Sequence, residues 1–89
     1  MRVIVTVIGK DRVGIIADVC ALLAQHNVNV LDISQTVLQE YFTMIMLVDT
    51  TACPVTFTEL RESLIQAGKA CSLDIHVQRE DIFNAMHRI

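Results

Sequence analysis

Two stretches of this 89-residue chain are apolar on both faces, and they constrain the fold more than any other feature. Arg2–Gly9 reads Val-Ile-Val-Thr-Val-Ile at its centre, broken only by Thr6, and Tyr41–Val48 is apolar apart from Thr43. Successive strand side chains point to opposite faces, so a strand apolar at every position is central in a sheet and covered, or partly covered, on both sides. The other apolar segments differ in period. Ile16, Val19, Cys20 and Leu23 follow i, i+3, i+4, i+7 spacing and predict a helix from Ile15 to about His26-Asn27. Asp11 is expected as its N-cap. Val28–Leu38 is extended, and the short break Gln39-Glu40 joins it to Tyr41–Val48 as an antiparallel hairpin.

Past the loop Asp49–Pro54, Thr56-Phe57-Thr58-Glu59 matches a capping box, with Val55 and Leu60 placed as a hydrophobic staple. The second helix presents Phe57, Leu60, Leu64 and Ala67 to a core, with Gly68 expected as its stop. Cys71–Gln78 alternates Leu73, Ile75, Val77 against Ser72, Asp74, His76, Gln78, an edge-strand pattern. In the tail, 79–89, Ile82, Phe83, Met86 and Ile89 share one face. Acids at its start and His87-Arg88 at its end suit a short amphipathic helix. It is expected to pack on the same domain or on its dimer mate.

The order is β-α-β-β-α-β plus a terminal helix, in a single α+β domain. Right-handed crossovers place the first and third strands centrally in a four-stranded antiparallel sheet, the ferredoxin-like sandwich with two helices on one face. The domain is expected over 1–78. Composition adds one inference. With 53 % hydrophobic residues, so short a chain has more apolar surface than one small core hides, which predicts self-association.

Charge and cysteines exclude classes. The net charge of −3 offers no basic stripe for nucleic acid. No apolar run approaches the ~18 residues that span a bilayer, and no signal peptide is seen. Cys20, Cys53 and Cys71 are odd in number and never at CxxC spacing, which points to a reducing cytoplasm and away from disulfides or structural zinc. No catalytic set is visible. Ser34, Ser63 and Ser72 lack a nucleophile elbow, and HExxH, Walker and GxGxxG patterns are absent. Asp74 and His76 share a strand face with no third ligand indicated, Cys20 sits on an apolar helix face, and Met44 and Met46 read as core or interface filler. No cofactor and no metal are expected.

The informative segment is Gly9-Lys10-Asp11-Arg12-Val13-Gly14-Ile15. Two glycines around a strand-to-helix turn let backbone approach a ligand, and free first-turn amides suit a carboxylate. The same residues also satisfy plain turn geometry, with Asp11 merely capping. From the residues alone both readings stand.

Thr6–Ala17 resembles the opening of an ACT domain, whose signature is an Asp-Arg-Pro-Gly-like turn followed by aliphatic residues. Asn27-Val28-Asn29-Val30-Leu31-Asp32-Ile33 is similar to that family's passage from helix to second strand. The hairpin from Ser34-Gln35-Thr36-Val37 to Tyr41-Phe42-Thr43-Met44 and the ending Ile82–Met86 resemble free-standing prokaryotic single-ACT proteins, related to the ACT domains of the glycine-cleavage transcriptional repressor. The resemblance covers essentially the whole chain. It implies a non-catalytic regulatory module that binds an amino acid, or another small effector, between paired domains. By position it implies Gly9, Lys10, Asp11, Arg12, Val13, Gly14 and Ile15, with Asn27, Asn29 and Asp32 from the neighbouring segment or subunit. Amides of Gly14 and Ile15 would hold the carboxylate, and Asn29 or Asp32 the amino group. Val13 stands where many members have Pro. With no catalytic or DNA-binding domain among these residues, any effect is expected to pass through oligomerisation or a partner, possible partners including a metabolic enzyme. Two other classes are a ligand-free subunit acting by contact, and an acylphosphatase-type hydrolase with Arg12 and Asn29 as its candidates.

Overall fold

The computed structural model describes residues 1–81. Its elements are β1 (Arg2–Lys10), α1 (Ile15–Gln25), β2 (Asn29–Leu38), β3 (Tyr41–Asp49), α2 (Phe57–Ala70) and β4 (Asp74–Arg79). The sheet order is β2-β3-β1-β4, antiparallel throughout, with the two strands apolar on both faces at its centre. The terminal helix expected over 79–89 lies, but for its first residues, outside the described residues.

The core sits between one sheet face and the two helices. Val3, Val5 and Val7 of β1 meet Phe42, Met44, Met46 and Val48 of β3 and Ile75 and Val77 of β4. Ile15, Val19 and Leu23 of α1 and Leu60 and Leu64 of α2 close it from above. Each such side chain contributes roughly 1.5–3 kcal/mol by leaving water. No polar side chain is buried among the described residues.

The helix ends explain several residues that composition does not. Thr56 caps α2, its Oγ1 accepting from the Glu59 amide at 3.2 Å, as the capping box predicts. The predicted staple forms only in part, for Leu60 is buried while Val55 stays exposed. Gly68 is not the stop. The helix runs on to Ala70, and the left-handed residue that ends it is Ser72, at φ 60. The Leu73 and Ser72 amides donate to the Gly68 and Lys69 carbonyls at 2.8 and 3.2 Å, a Schellman closure. Because Cys71 and Ser72 are consumed in it, β4 starts at Asp74 rather than at Cys71. The exit of α1 repeats the device with Asn27 at φ 55, the Val28 and Asn27 amides donating to Leu23 and Ala24.

The break Gln39-Glu40 is a two-residue hairpin turn between the paired Leu38 and Tyr41, with Gln39 at φ 56. A bulge between Val30 and Asp32 shifts the parity of β2, so that Val30 and Ile33 both face the helix side.

The N-terminus is clasped to the β3–α2 loop. The Met1 carbonyl accepts from the Thr50 amide at 2.9 Å and from its hydroxyl at 3.0 Å, and the α-ammonium lies 3.6 Å from Asp49. The Thr51 hydroxyl (2.6 Å) and amide (2.9 Å) donate to the Asp49 carboxylate, and with the α-ammonium they hold its pKa below the ordinary value. A carboxyl whose pKa is depressed by folding stabilises the fold above its unfolded pKa, about pH 4, and loses that effect as pH falls through the folded value. Asp49→Asn is therefore expected to flatten the acid limb of the stability curve below about pH 4, measured by thermal unfolding across pH.

Candidate functional site

The turn singled out in the sequence opens onto a cleft of about 260 Å³ lined by Asp11, Arg12, Gly14, Ile15, Ile16, Ala17, Gln35, Val37 and Phe42. Two loops are fastened to build it. β1 ends beside the hairpin, Lys10 pairing with Tyr41, and the Asp11 amide donates to the Glu40 carbonyl at 2.7 Å. This is where Asp11 spends its backbone. It does not cap α1, contrary to the sequence expectation.

The N-cap is Gly14, in the left-handed region at φ 92, with no side-chain hydrogen bond to the first turn. The first helical bond runs from the Asp18 amide to the Gly14 carbonyl, at 2.9 Å. No side chain therefore occupies the amides of Ile15, Ile16 and Ala17, which carry the positive end of the helix dipole. An L-residue with a Cβ pays steric strain at this φ, so glycine is needed for the turn itself. The Arg12 guanidinium lies alongside, 3.1 Å from Asp18 Oδ2 and 3.3 Å from the Val13 carbonyl. Arg12 and Asp18 are both substantially exposed, so their pair is worth little and an incoming anion can compete for Arg12.

The opposite wall comes from β2. Gln35 pairs with fully buried Met44, and Val37 with Phe42, so both lie on the helix-side face. Both extend beyond the cover of α1, and Val37 stays half exposed. Sequence reasoning missed Gln35, Val37, Phe42, Ile16 and Ala17. The available signal was Gln35 itself, a polar residue on the apolar face of a strand, readable only once the register is known.

Of the predicted residues, Asp11, Arg12, Gly14 and Ile15 line the cleft, while Gly9, Lys10 and Val13 belong to the turn without lining it. Val13 is almost wholly exposed. Asn27, Asn29 and Asp32 are not brought to this cleft within one chain. Asn29 pairs with Asp49 at the far end of the sheet, six strand steps or about 20 Å from Gln35. Asp32 pairs with Leu47 on the opposite sheet face and accepts from the neighbouring Ile33 amide at 2.9 Å. Asn27 serves the helix exit.

A larger cavity of about 310 Å³ lies between α1 and α2 over Leu73 and Ile75, walled mainly by Leu22, Ala21 and Ala67. Its polar side chains are Asp18, Gln25 and Cys71, and no Lys, Arg or His lines it. His76 Nε2 lies 3.0 Å from Asp74 Oδ2 on the exposed face of β4. Among the described residues no three His, Cys, Asp or Glu side chains gather to hold a metal, and no helix is long and apolar enough to cross a membrane. All three cysteines are unpaired.

Comparison with known proteins gives one consistent answer. The ACT domain family profile matches residues 1–78. A UPF0237 protein of Clostridium acetobutylicum is 52 % identical over 89 residues, covering all of both chains. Another from Methanopyrus kandleri is 51 % identical over 88 residues, 99 % of this chain and 98 % of its own. Among solved structures, an ACT domain protein from Streptococcus pneumoniae is 42 % identical and superposes with a TM-score of 0.83 over 98 % of each chain. A candidate glycine cleavage system transcriptional repressor is 26 % identical, with a TM-score of 0.75 over 86 % of this chain and 44 % of its own.

Proposed function

The chain belongs to the ACT domain family, and on that premise we infer that it is a non-catalytic regulatory domain that binds an amino acid at the turn between β1 and α1. One observation carries the reading. The first turn of α1 is open and uncapped, and it faces Gln35 across a cleft of small-molecule size. The first-turn amides with Arg12 suit a carboxylate, and Asp11 and Gln35 in the same cleft suit an ammonium.

The assembly we infer is a homodimer joined along β2. This ten-residue edge strand has no residue fully buried, leaves Leu31, Ile33, Val37 and Leu38 exposed, and carries neither Lys nor Pro to discourage pairing. Antiparallel pairing of two β2 strands about their middle would set the partner's Asn29 and Asp32 against the end of β2 that holds Gln35 and Val37. In that pairing the partner strand borders the cleft, while the Asn29 and Asp32 side chains stay on the sheet face opposite to it. The unpaired cysteines and acidic charge fit a cytoplasmic home.

The exposure of β2 also suits a second reading, a ligand-free subunit that regulates a metabolic enzyme by contact. Thermal unfolding with each common amino acid at millimolar concentration separates the two, with light scattering reporting the assembly. One amino acid is expected to raise the melting temperature. A ligand at a hundred times its Kd adds about 2.7 kcal/mol, or roughly 10–20 °C in a domain of this size. A dimer that responds to none of them overturns the amino-acid reading and leaves the contact subunit.

A further inference from the structure

The walls of the cleft beside α1 carry information about the side chain of what enters it. Among the described residues, Asp11 and Arg12 are the only ionisable side chains that line it. A free amino acid brings one ammonium and one carboxylate, which match these two in sign and number, the exposed pair of Arg12 with Asp18 giving way. A charged side chain would then enter with no opposite charge left to meet it, and a charge taken out of water unpaired is costly.

The remaining wall is mostly apolar, and it is unevenly covered. Ile15 and Phe42 are 2 % and 4 % exposed and belong to the core. Ile16 and Val37 line the same cleft yet are 38 % and 51 % exposed. Val37 stands on the helix-side face of the sheet, where Met44 and Met46 of β3 are fully buried. The cleft thus holds apolar surface, from α1 on one side and β2 on the other, that nothing in the chain covers. Val37 is two strand steps, about 6.6 Å, from Gln35 on the same face, so one small ligand touches both. The ligand has to be small, since 260 Å³ falls below the roughly 300–1,000 Å³ of most ligand sites.

We propose that the amino acid is one with a branched aliphatic side chain, its methyl groups seated on Ile16 and Val37 over Phe42. The proposal rests on the amino-acid site inferred above and names the ligand class of that site. A branched side chain presents one methyl to each wall. Gln35 is the single neutral polar side chain in the lining, and with Asp11 it meets the ammonium, so no polar group is left for a hydroxyl or amide on the ligand.

The test is calorimetric titration of the full chain with each of the twenty common amino acids. Valine, leucine or isoleucine is expected to bind tightest. From glycine through alanine to valine, affinity should rise about fourfold for each carbon buried. Threonine has the shape of valine with a hydroxyl for one methyl, and it should bind at least tenfold more weakly. Ile16→Thr is expected to narrow that gap at least threefold, chiefly by weakening valine. A tightest ligand outside the three aliphatics, or threonine equal to valine, overturns the proposal and leaves the amino-acid site standing. Ile16→Thr with an unchanged ratio also overturns it, since the wall then plays no part in selection. If the variant does not fold, the ratio in the native chain still decides. Binding by none of the twenty overturns the site itself, and this proposal with it.

Discussion

Gly68→Ala is expected to lower the stability of the domain by up to about 2 kcal/mol, and the melting temperature by up to roughly 15 °C. Helix propensity alone predicts the reverse, since alanine is better than glycine by about 1 kcal/mol inside a helix. Packing decides the sign. A Cβ at Gly68 would stand 2.8 Å from both Cγ1 and Cδ1 of Ile75 and 3.0 Å from the Leu73 carbonyl oxygen. Ile75 is itself buried, and the carbonyl is backbone, so relief requires α2 to move away from β4. That movement stretches the 2.8 Å bond from the Leu73 amide to the Gly68 carbonyl, which closes the helix. Overpacking of this kind costs about 1–3 kcal/mol, more than the propensity gain. Gly9 makes the contrast. Its added Cβ would meet Leu73 Cδ2 at 2.7 Å, the far end of a flexible side chain, so Gly9→Ala should be the milder change. Differential scanning calorimetry of the two variants checks the order. A rise in melting temperature for Gly68→Ala would show that α2 slides on β4 without cost.

Gly68 also shows where reading the sequence stops. A glycine near the end of a helical pattern signals a stop because it tolerates positive φ, yet here the left-handed position falls to Ser72, and glycine is needed for close approach. Sequence carries both needs in one letter. What was legible was local and periodic: the apolar faces of β1 and β3, the Thr56 cap, and the two-residue hairpin. At the candidate cleft, the four lining residues of the turn were legible because its glycines and charges are consecutive. The β2 half was not, because Gln35 and Val37 join Asp11 and Gly14 only through the register of β2 on β3, which the bulge near Leu31 shifts. Asn27 was legible as a family position, but its place within one chain is the helix exit, where asparagine accepts φ 55.

Gly14→Val tests the turn itself, and two separable losses are expected. Stability should fall by about 2 kcal/mol, because the left-handed conformation costs an L-residue roughly 1–2 kcal/mol and a β-branched residue more. No steric contact confounds this, since an added Cβ at Gly14 meets nothing within 4 Å. The strain is relieved by rotating the peptide units around Gly14, which carry the first-turn amides of Ile15 and Ile16 beside the cleft. A hydrogen bond to a charged group is worth about 1.5–3 kcal/mol, and 1.4 kcal/mol is tenfold in affinity. Loss of one such amide should therefore weaken the amino acid found by the thermal screen at least tenfold. Gly14→Asn is the control. Asparagine tolerates positive φ, so it should keep most of the stability and most of the binding. Calorimetric titration of the native chain and both variants gives the answer. If Gly14→Val melts lower yet binds as tightly as the native chain, the first-turn amides do not hold the carboxylate. If Gly14→Asn keeps its stability but loses binding, the bare glycine surface, rather than the amide direction, is what the ligand requires.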